Sequence, residues 1–448
     1  MNLYDEDQMR REEKRSKNLK RIIISSIVIS ILVIMALILA INYLVNNPNR
    51  TIVKLNGREN RNLENIISVE TDGSGNISIY APIKEIASYF GYEAFNGEYT
   101  MVSEDTDSCY VQNEEEVAVF NLDSNIIYKI DRKTQDSNYE YCKINKKILK
   151  KDDVLYTDDE GLENGFNLAI SYNAKKKIVD FYTLDTMVKS AESKVTQYGY
   201  KELDDSLENH KAILEDIMVV KSEDGQYGVV NYSTGQKMLD SKYDKITYIP
   251  HKKAFLIMKN NKVGIISSDG TTKISPEYDE LTLIDNENEL YLAKKDGLYG
   301  VVNINGNVII YIEYSKIGID LSGYEQNGIK SGYVLLNKLI PVQQNSKWGF
   351  FDITGHQVTD LKYEAIGSKA TSNKGVNYDL LVIPNYDALV VKRDNKYTCI
   401  NSNGEELISC VFKEMYMEMS SGKTEYYMIW QDPEGKERKY VIKDYLEK

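Results

Sequence analysis

A short segment recurs five times in the second half of this 448-residue chain. Its copies begin at Gln226, Lys262, Leu298, Lys347 and Lys396. The starts are 36, 36, 49 and 49 residues apart, and the two longer intervals contain extra residues. A repeat of this length is one supersecondary unit, which buries its apolar face only by stacking on the next copy. The repeat therefore predicts a serial array of like units, with the extra residues in loops.

Three landmarks keep their order in every copy. The first is a glycine after an aromatic residue or Val, replaced by Thr398 in the fifth copy, and the second is a later glycine in a TG, DG or NG pair. The third is an aromatic residue. The first landmark, called the landmark glycine, is Gly228, Gly264, Gly300 and Gly349. The second, called the turn glycine, is Gly235, Gly270, Gly306, Gly355 and Gly404. The third, the aromatic landmark, is Tyr243, Tyr278, Tyr314, Tyr363 and Phe412. The second glycine predicts a tight hairpin turn with positive φ in each copy.

Each copy has room for four short strands separated by turns. Four strands per unit suit a propeller blade, and a closed ring would protect the strand edges. An open β-solenoid is the alternative, because five copies of unequal length need not close. We predict a mainly β chain in which residues 211–448 form a propeller-like β-repeat domain.

The copies resemble the WG repeat family. The copy KWGFFDITGHQVTDLKYEAI, which begins at Lys347, follows the family's line from the KWG triplet through the turn glycine to the final aromatic and acidic pair. The resemblance covers about residues 215–420. It implies a β domain that serves as a binding or scaffolding module.

An uncharged apolar run occupies residues 22–45. About 24 helical residues are long enough to cross a hydrocarbon core of about 30 Å. Seven basic residues precede the run, so the positive-inside rule places the N-terminus in the cytoplasm. The run is longer than the apolar part of a cleaved signal peptide, and no small-x-small cleavage site follows it. We predict a cytoplasmic tail at 1–21, a retained transmembrane helix at 22–46 and an extracytoplasmic remainder.

The charge outside the predicted anchor is strongly negative. Residues 1–21 hold seven basic and five acidic side chains (+2), so the remainder of a chain at −13 carries −15. This balance argues against nucleic acid and anionic lipid headgroups as main partners.

The four cysteines are too few for a disulfide framework, and they are either two bridged pairs or buried thiols: Cys109, Cys142, Cys399 and Cys410.

Residues 51–183 read as an α+β domain. Short alternating runs such as NISIYAP predict strands, and PIKEIASYFGY predicts one helix that begins after Pro82 and stops at Gly91. This segment resembles the copper amine oxidase-like N-terminal domain of exported bacterial proteins, although Lys84 stands where that family commonly has Arg. The resemblance implies no copper. Residues 184–210 then predict a linker helix and a domain boundary, with Gly199 near the helix end.

Enzyme motifs fail on their spacing. His210, His251 and His356 are too far apart for a His-x-His copper site or an HExxH zinc site, and no GxSxG is present. The Asn-Tyr-Asp triplets at 377–379 and 385–387 match the amine oxidase quinone context, but a chain with 35 tyrosines produces such matches by composition. We interpret the histidines as surface residues.

Two further motifs are incomplete. The SSGKT segment at 420–424 lacks the glycine of a phosphate-binding loop, since Met417 occupies that position. The acidic run that begins at Asp285 has Leu290 where a calcium loop needs glycine. We interpret the first as a turn between strands and the second as a solvated hairpin tip.

The aromatic residues before the landmark glycines could stack on glycans, but packing between strands is the favoured interpretation for Tyr227, Tyr299 and Trp348. We therefore predict no catalytic, cofactor-binding or metal-binding residues and no cofactor. The expected function is a non-catalytic, membrane-anchored extracytoplasmic binding or scaffold protein of the bacterial cell envelope, with an envelope protein or wall polymer as partner. The alternatives are a wall-processing enzyme with an unrecognised carboxylate site, or a receptor-type sensor that acts through a cytoplasmic partner.

Overall fold

The computed structural model describes residues 25–26, 29–38, 50–98, 101–102, 106–132, 140–321, 332–370, 377–420 and 423–446. The predicted tail at 1–21 and most of the predicted span at 22–46 lie outside these residues. Residues 29–38 form helix α1, and its apolar side chains are exposed, for example Ile29 at 60%. Within the described ranges, no helix combines the length and the apolar character needed to cross a membrane.

The chain divides into two compact units, residues 1–65 with 171–181 and residues 66–170 with 182–448. The first unit contains β1 (Ile52–Leu55), β2 (Arg58–Glu59), α2 (Arg61–Glu64) and most of β14 (Ile178–Thr183). Strand β1 pairs in parallel with β14 and antiparallel with β2. The Asn60 side chain accepts hydrogen bonds from the first amides of α2 and caps it.

The second unit begins with a mixed α and β part. Its elements are β3 (Ser68–Thr71), β4 (Ile77–Pro82), α3 (Ile83–Ile86), β5 (Glu93–Glu98), β6 (Met101–Val102), β7 (Ser108–Gln112), β8 (Glu116–Asn121), β9 (Ile126–Asp131), β10 (Glu140–Lys143), β11 (Leu149–Lys151), β12 (Val154–Thr157), α4 (Asp159–Phe166) and the first half of β13 (Leu168–Asn173). The strands form a six-stranded sheet in the order β10-β9-β8-β7-β5-β6 and a four-stranded sheet in the order β11-β12-β4-β3.

The helix predicted after Pro82 is confirmed. Helix α3 continues as a 3₁₀ turn at Ala87–Phe90, and Gly91 ends it with a φ of +83°. The apolar positions of this segment are buried, and the Phe90 ring packs against Phe166 with a centroid separation of 5.6 Å. The residue spacing therefore identified both the helix and its buried face.

The segment predicted as a linker contains a helix and also parts of the repeat structure. Helix α5 (Leu184–Val195) is followed by a strand at Glu202–Leu203 and by α6 (Leu207–Lys211). The strand at Glu202–Leu203 pairs with the first long strand of the repeats. Residues before 211 therefore complete the first repeat sheet.

Six antiparallel four-stranded sheets follow one another from residue 202 to residue 441. Sheet 1 contains β15 (Glu202–Leu203), β16 (Ile217–Lys221), β17 (Tyr227–Asn231) and β18 (Lys237–Tyr243); sheet 2 contains β19 (Lys245–Ile249), β20 (Ala254–Lys259), β21 (Lys262–Ser267) and β22 (Thr272–Tyr278); sheet 3 contains β23 (Glu280–Asp285), β24 (Leu290–Lys295), β25 (Leu298–Asn303) and β26 (Val308–Tyr314). Sheet 4 contains β27 (Lys316–Ile317), β28 (Leu339–Gln344), β29 (Lys347–Asp352) and β30 (Gln357–Tyr363); sheet 5 contains β31 (Ala365–Ile366), β33 (Val382–Ile383), β34 (Ala388–Arg393) and β35 (Lys396–Ile400); sheet 6 contains β32 (Asn377–Asp379), β36 (Glu414–Ser420), β37 (Lys423–Gln431) and β38 (Glu437–Val441), and α7 (Lys443–Leu446) follows. Four strands per unit were predicted, but the sheet boundaries fall inside the copies: in sheets 2 to 4 the first two strands come from the preceding copy and the last two from the next one.

The landmark glycines lie at a bulge between the third and fourth strands of a sheet. In sheet 3 the register shifts between Tyr299 and Val301, and a Cβ atom on Gly300 would lie 2.6 Å from the Ile310 carbonyl oxygen. Only glycine allows this approach of two backbones. The turn glycines have φ values from +71° to +88°, which confirms the predicted hairpin turns.

In copies one, two and four an acidic residue follows the aromatic landmark, and this pair connects consecutive sheets. The aromatic residue pairs across the strands with the residue before the landmark glycine, as in Tyr299 with Tyr314. The following acid reaches the next sheet, where the Asp279 carboxylate accepts a hydrogen bond of 2.8 Å from the Asp296 amide in a hairpin turn. Asp244 and Glu364 make the same kind of contact in copies one and four. Copy three has Ser315 instead, and its hydroxyl donates to the Gln343 carbonyl oxygen of sheet 4 at 2.8 Å.

The fifth copy departs from this geometry. Its third strand, β35, lacks a regular fourth strand, and isolated bridges such as Tyr397 with Phe412 replace it. Thr398 is fully buried, and its hydroxyl donates to the Ile408 carbonyl oxygen at 2.6 Å. In the other copies the landmark glycine lets the backbones of the third and fourth strands come close together. In the fifth copy the Thr398 side chain occupies this position, and no regular fourth strand pairs with β35.

The extra residues of the fourth interval are partly structured. Residues 377–379 form β32, which pairs with β36 at the edge of sheet 6. The prediction that the insertions are loops is wrong for this strand, because the insertion supplies an edge partner that the last sheet would otherwise lack.

Five apolar cores join each sheet to the next one along the chain, and a sixth joins α5 to sheet 1. No core among the described residues joins sheet 6 to sheet 1. The unit predicted from the repeat is confirmed as a propeller-like four-stranded sheet, and the closure of a ring stays a prediction.

Candidate functional site

A cluster of buried charges lies in the second unit, where the sheet containing β8 to β10 meets α6 of the repeat part. Glu116 begins β8, Lys129 lies on β9, and Lys211 ends α6; their side chains are 4, 2 and 11% exposed. The Glu116 carboxylate contacts both ammonium groups at 2.9 Å. Lys211 also contacts Glu140 at 2.8 Å. Burial of a charge is costly unless the charge is paired, and here two cations balance two anions.

Neutral polar groups complete the cluster. Asn167 follows α4 in the left-handed conformation, with a φ of +49°, and this turn directs its amide towards the charges. Its amide nitrogen donates to Glu116, and its amide oxygen accepts from Lys129. The Tyr92 hydroxyl donates to Glu116 at 3.2 Å, and burial raises the pKa of this tyrosine. The network therefore satisfies the buried Glu116 carboxylate from several elements.

A thiol and an imidazole lie at the outer side of this cluster. Cys142 is buried on β10, two residues after Glu140, and His251 lies in the turn after β19. The His251 Nε2 atom is 3.3 Å from the Cys142 Sγ atom and 3.0 Å from Glu140 Oε1. The Cys142 Sγ atom is 3.9 Å from the same carboxylate oxygen. These three atoms form a compact group with oxygen, sulfur and nitrogen donors.

The charges set the protonation of the two glutamates. Burial opposes ionisation of Glu140, but the Lys211 ammonium and the hydrogen bond from His251 outweigh it and hold the pKa of Glu140 well below its usual value. Burial likewise opposes ionisation of Glu116, but Lys129 and Lys211 lower the pKa of this carboxyl. Both carboxylates are therefore charged partners of the lysines at neutral pH.

A cavity of about 220 Å³ opens beside the cluster. Glu140, Glu163, Lys211 and His251 line it, together with residues of α4 and of the turn after β19. Burial raises the pKa of Glu163 to about 7, although the Ile170 amide donates to its carboxylate at 2.9 Å. Two of the four carboxyls that line the cavity therefore differ in character: Glu163 keeps its proton up to about pH 7, whereas Glu140 is ionised.

Replacement of Glu163 by glutamine is expected to stabilise the chain at pH 8. The folded state binds the Glu163 proton more tightly than the unfolded state, whose carboxyl has a pKa of 4.5. The contribution of this group is therefore most favourable below pH 4.5 and is lost as the pH rises through about 7. Glutamine retains the acceptor for Ile170 and removes the charge, a gain of about 1–3 kcal/mol at pH 8.

Urea denaturation of Glu163→Gln and of the parent chain, at pH 5 and at pH 8, measures this effect. The variant should gain stability relative to the parent only at the higher pH. Glu192→Gln, at an exposed position on α5, is the matched control. An equal stability difference at both values would show that Glu163 ionises normally in the folded chain.

The aromatic residues before the landmark glycines are packing residues, as predicted. Trp348 is 8% exposed, and Tyr227 and Tyr299 pack against the cores of their sheets. A lysine ammonium lies over each ring, as Lys294 does at 5.4 Å from the Tyr299 centroid. A ring covered in this way has less free face for a sugar.

The other sequence motifs take structural positions. Ser420 ends β36 and Lys423 begins β37, and these two residues of SSGKT pair across the strands. Residues 421–422, where the turn was predicted, lie outside the described residues. Asp285 accepts from the Asn288 amide at 3.0 Å at the tip of the β23–β24 hairpin, which confirms the second interpretation. All four cysteines are free thiols, and Cys410 is half-buried while the others are buried. Of the two possibilities stated for the cysteines, the structure therefore has thiols and not two bridged pairs.

The family model of the WG containing repeat matches residues 264–299, 299–323 and 397–424. The chain contains WG repeats. The matches begin at or beside a landmark position and include the third and fourth strands of sheets 2 and 3. The resemblance to the WG repeat family is thereby confirmed for these segments, and the copper amine oxidase-like resemblance of residues 51–183 stays a prediction.

None of the curated proteins matches the chain. Among solved structures, a eukaryotic initiation factor is 10% identical, with 84% of each chain covered and a TM-score of 0.23. The WD40 domain of SCAP from fission yeast is 10% identical, with 54% of this chain and 74% of that chain covered and a TM-score of 0.17. BamB from Moraxella catarrhalis is 9% identical, with 76% and 92% covered and a TM-score of 0.19. The propeller-like character of the WG repeats rests on their own strand pairing.

The charge cluster was missed by sequence reasoning, which looked for ligands at short spacing. Glu140 and Cys142 are two positions apart on β10, so their side chains lie on the same face of the strand. His251, however, lies 109 residues after Cys142. Only the packing of β10 beside the β19 turn brings the three side chains together. The one indication in the sequence was the Glu-x-Cys pair, which lies in the region predicted to form strands of alternating apolar and polar residues.

Proposed function

We propose that the chain is a non-catalytic, membrane-anchored extracytoplasmic binding or scaffold protein of the cell envelope, in which the WG repeats hold an envelope protein or a wall polymer. The uncharged run at residues 22–45 and the basic residues before it support the anchor and its orientation. The serial sheets support a binding role, because repeats present a broad surface on a rigid core. The charge of −15 outside the anchor disfavours nucleic acid as the partner.

One observation on the repeat surface carries the proposal. The fourth strand of sheets 1 to 4 has nearly the same alternation of buried and exposed positions, and this strand is the last in each sheet. In β26 the first two exposed positions are Val308, 48% exposed, and Tyr311, 73% exposed. The matching positions of the other three strands are polar: Lys237 and Asp240, Thr272 and Ser275, and Gln357 and Asp360.

Polar residues on an edge strand prevent unwanted pairing with other chains. Copy three replaces them with a β-branched residue and a tyrosine, and aromatic residues are enriched in the centres of protein interfaces. The backbone edge of β26 is partly occupied, because the Gln344 side chain donates to the Glu313 carbonyl oxygen at 2.7 Å and Gly355 packs against the Ile309 carbonyl. The exposed side chains of Val308 and Tyr311, and not free backbone groups, are therefore the surface available to a partner. Strand β26 thus has the features of a protein-docking surface, which favours an envelope protein over a wall polymer.

Sedimentation with isolated bacterial wall sacculi tests the function class. The full chain, kept in mild detergent, is incubated with sacculi, and pellet and supernatant are both analysed. Co-sedimentation without released fragments would support wall binding. Free protein with intact wall would leave an envelope protein as the partner. Binding of that partner would then be compared between Tyr311→Asp, which should weaken it, and Ser275→Asp, the matched control at the same position of sheet 2. Equal binding of both variants would exclude β26 as the docking surface.

A second candidate, the wall-processing enzyme, is favoured by one observation. Glu163, with a pKa near 7, and the ionised Glu140 line the same cavity, and such a pair of carboxyls could serve as acid and base in glycoside cleavage. The ion pair between Glu140 and Lys211 argues against it, since that carboxylate is already occupied. Sugar or peptide fragments released from sacculi by the parent chain, and abolished in Glu163→Gln, would establish the enzyme and overturn the non-catalytic proposal.

A further inference from the structure

Three side chains with different metal-binding atoms converge beside the charge cluster, on the side that faces solvent. We propose that Glu140, Cys142 and His251 bind one divalent transition-metal ion of the zinc class, with a water molecule in the fourth coordination position. The site would join the α and β part of the second unit to the first repeat sheets through a metal ion, in addition to the buried ion pairs.

The spacing of the three donor atoms fits such an ion. Their separations are 3.0, 3.3 and 3.9 Å. Zinc bonds of about 2.0–2.3 Å in a tetrahedral site place neighbouring donor atoms about 3.3–3.7 Å apart. An ion about 2 Å from all three atoms therefore needs only small movements of the side chains.

The contacts of His251 favour a metal ion over a catalytic relay. Cys142 and Glu140 both contact the same ring atom, Nε2. In a relay of nucleophile, histidine and acid, the two partners use different ring nitrogens. A single proton on Nε2 satisfies one of these contacts, whereas a metal ion in the centre satisfies all three. As the metal–sulfur bond forms, the thiol proton leaves to solvent.

The surrounding charges hold the carboxylate in place for the ion. Lys211 binds the Glu140 Oε2 atom, which leaves Oε1 directed to His251 and Cys142. Glu116 in turn fixes Lys211. Such outer contacts orient metal ligands in known sites. The two lysines and two glutamates of the cluster cancel in charge, so the thiolate formed on binding offsets part of the charge of the ion.

The position of His251 supplies both order and access. Its backbone has a φ of +61°, which fixes the direction of the side chain in a four-residue turn between β19 and β20. Its side chain is 38% exposed, and the neighbouring cavity of about 220 Å³ gives water a route to a fourth position. Sulfur, imidazole and carboxylate together suit Zn²⁺ or Co²⁺ and do not suit Mg²⁺ or Ca²⁺, which prefer oxygen ligands.

Metal titration of the full chain in mild detergent tests the site. After treatment with a chelator, Zn²⁺ affinity is measured by competition with a chromophoric chelator, and Co²⁺ binding is followed by the thiolate-to-cobalt charge-transfer absorption. We expect one ion per chain. His251→Gln and Cys142→Ser should each weaken Zn²⁺ binding at least about 100-fold, and Cys142→Ser should abolish the charge-transfer absorption.

His356→Gln, at an exposed histidine of sheet 4, is the matched control and should bind as the parent does. Melting curves of the metal-free variants establish that each one is folded before its affinity is compared. The proposal is overturned if the parent chain retains no Zn²⁺, or if its Zn²⁺ binds equally well to folded His251→Gln and Cys142→Ser, which would mark an adventitious ion only.

Discussion

Gly300→Val is expected to disrupt sheet 3 and to lower the melting temperature of the repeat part by roughly 6–12 °C. The Cβ of any larger residue would lie 2.6 Å from the Ile310 carbonyl oxygen and 2.9 Å from the Ile312 Cα atom. Both are backbone atoms of β26, so the contact is relieved only if the two strands separate. A clash of this kind in a closely packed sheet costs about 3 kcal/mol or more.

The effect should extend beyond sheet 3, because its strands contribute to two apolar cores. Val301 packs in the core shared with sheet 4, and Val302 packs in the core shared with sheet 2. Movement of β25 therefore loosens both junctions, and limited proteolysis should cut first near the hairpins of sheets 2 to 4. In a serial array each unit depends on its neighbours, so damage to a central copy is costlier than damage at an end.

Thermal melting and limited proteolysis of Gly300→Val are compared with Gly73→Val. A Cβ atom added to Gly73 would have no neighbouring atom within 4 Å, so its replacement tests the valine side chain without the clash. A Gly300→Val chain that melts with the parent would show that the landmark glycine is not at the strand bulge, and the register of the repeat would have to be revised.

The parts of the fold that were predictable from the sequence depend on local geometry. A positive φ at Gly306 and the close approach at Gly300 each constrain a single position, so the same residue recurs in successive copies. The boundary of each sheet was not predictable in this way. It falls between Tyr314 and Ser315 in sheet 3, and only strand pairing shows that the next strand belongs to the following sheet.

The candidate site could not be predicted, because its contacts join residues far apart in the chain. Glu116 and Lys211 are separated by 95 positions, and neither has a neighbour in sequence that announces a buried ion pair. Burial is what distinguishes them from the many exposed charges. The cavity beside Glu163 likewise depends on the turn after β19, which comes from the repeat part.

Lys211→Met is expected to destabilise the second unit by about 3–5 kcal/mol, the cost of breaking a buried ion pair by removing one partner. Methionine fills a similar volume but leaves Glu140 with no lysine and Glu116 with Lys129 alone. Lys189→Met is the matched control, since Lys189 pairs with Asp185 on exposed α5 at a side-chain exposure of 69%. An exposed pair of this kind is worth less than about 1 kcal/mol.

Urea denaturation in the presence of a chelator measures both variants without a contribution from bound metal. The difference between the parent and Lys211→Met should shrink as the pH falls below about 4.5, because Glu116 has a lowered pKa in the folded parent and its contribution is lost on protonation. The double variant Lys211→Met with Glu140→Gln should recover part of the loss, because it removes the carboxylate that lost its lysine. If Lys211→Met cost no more than Lys189→Met, the buried cluster would contribute nothing to holding α6 against β8 and β10.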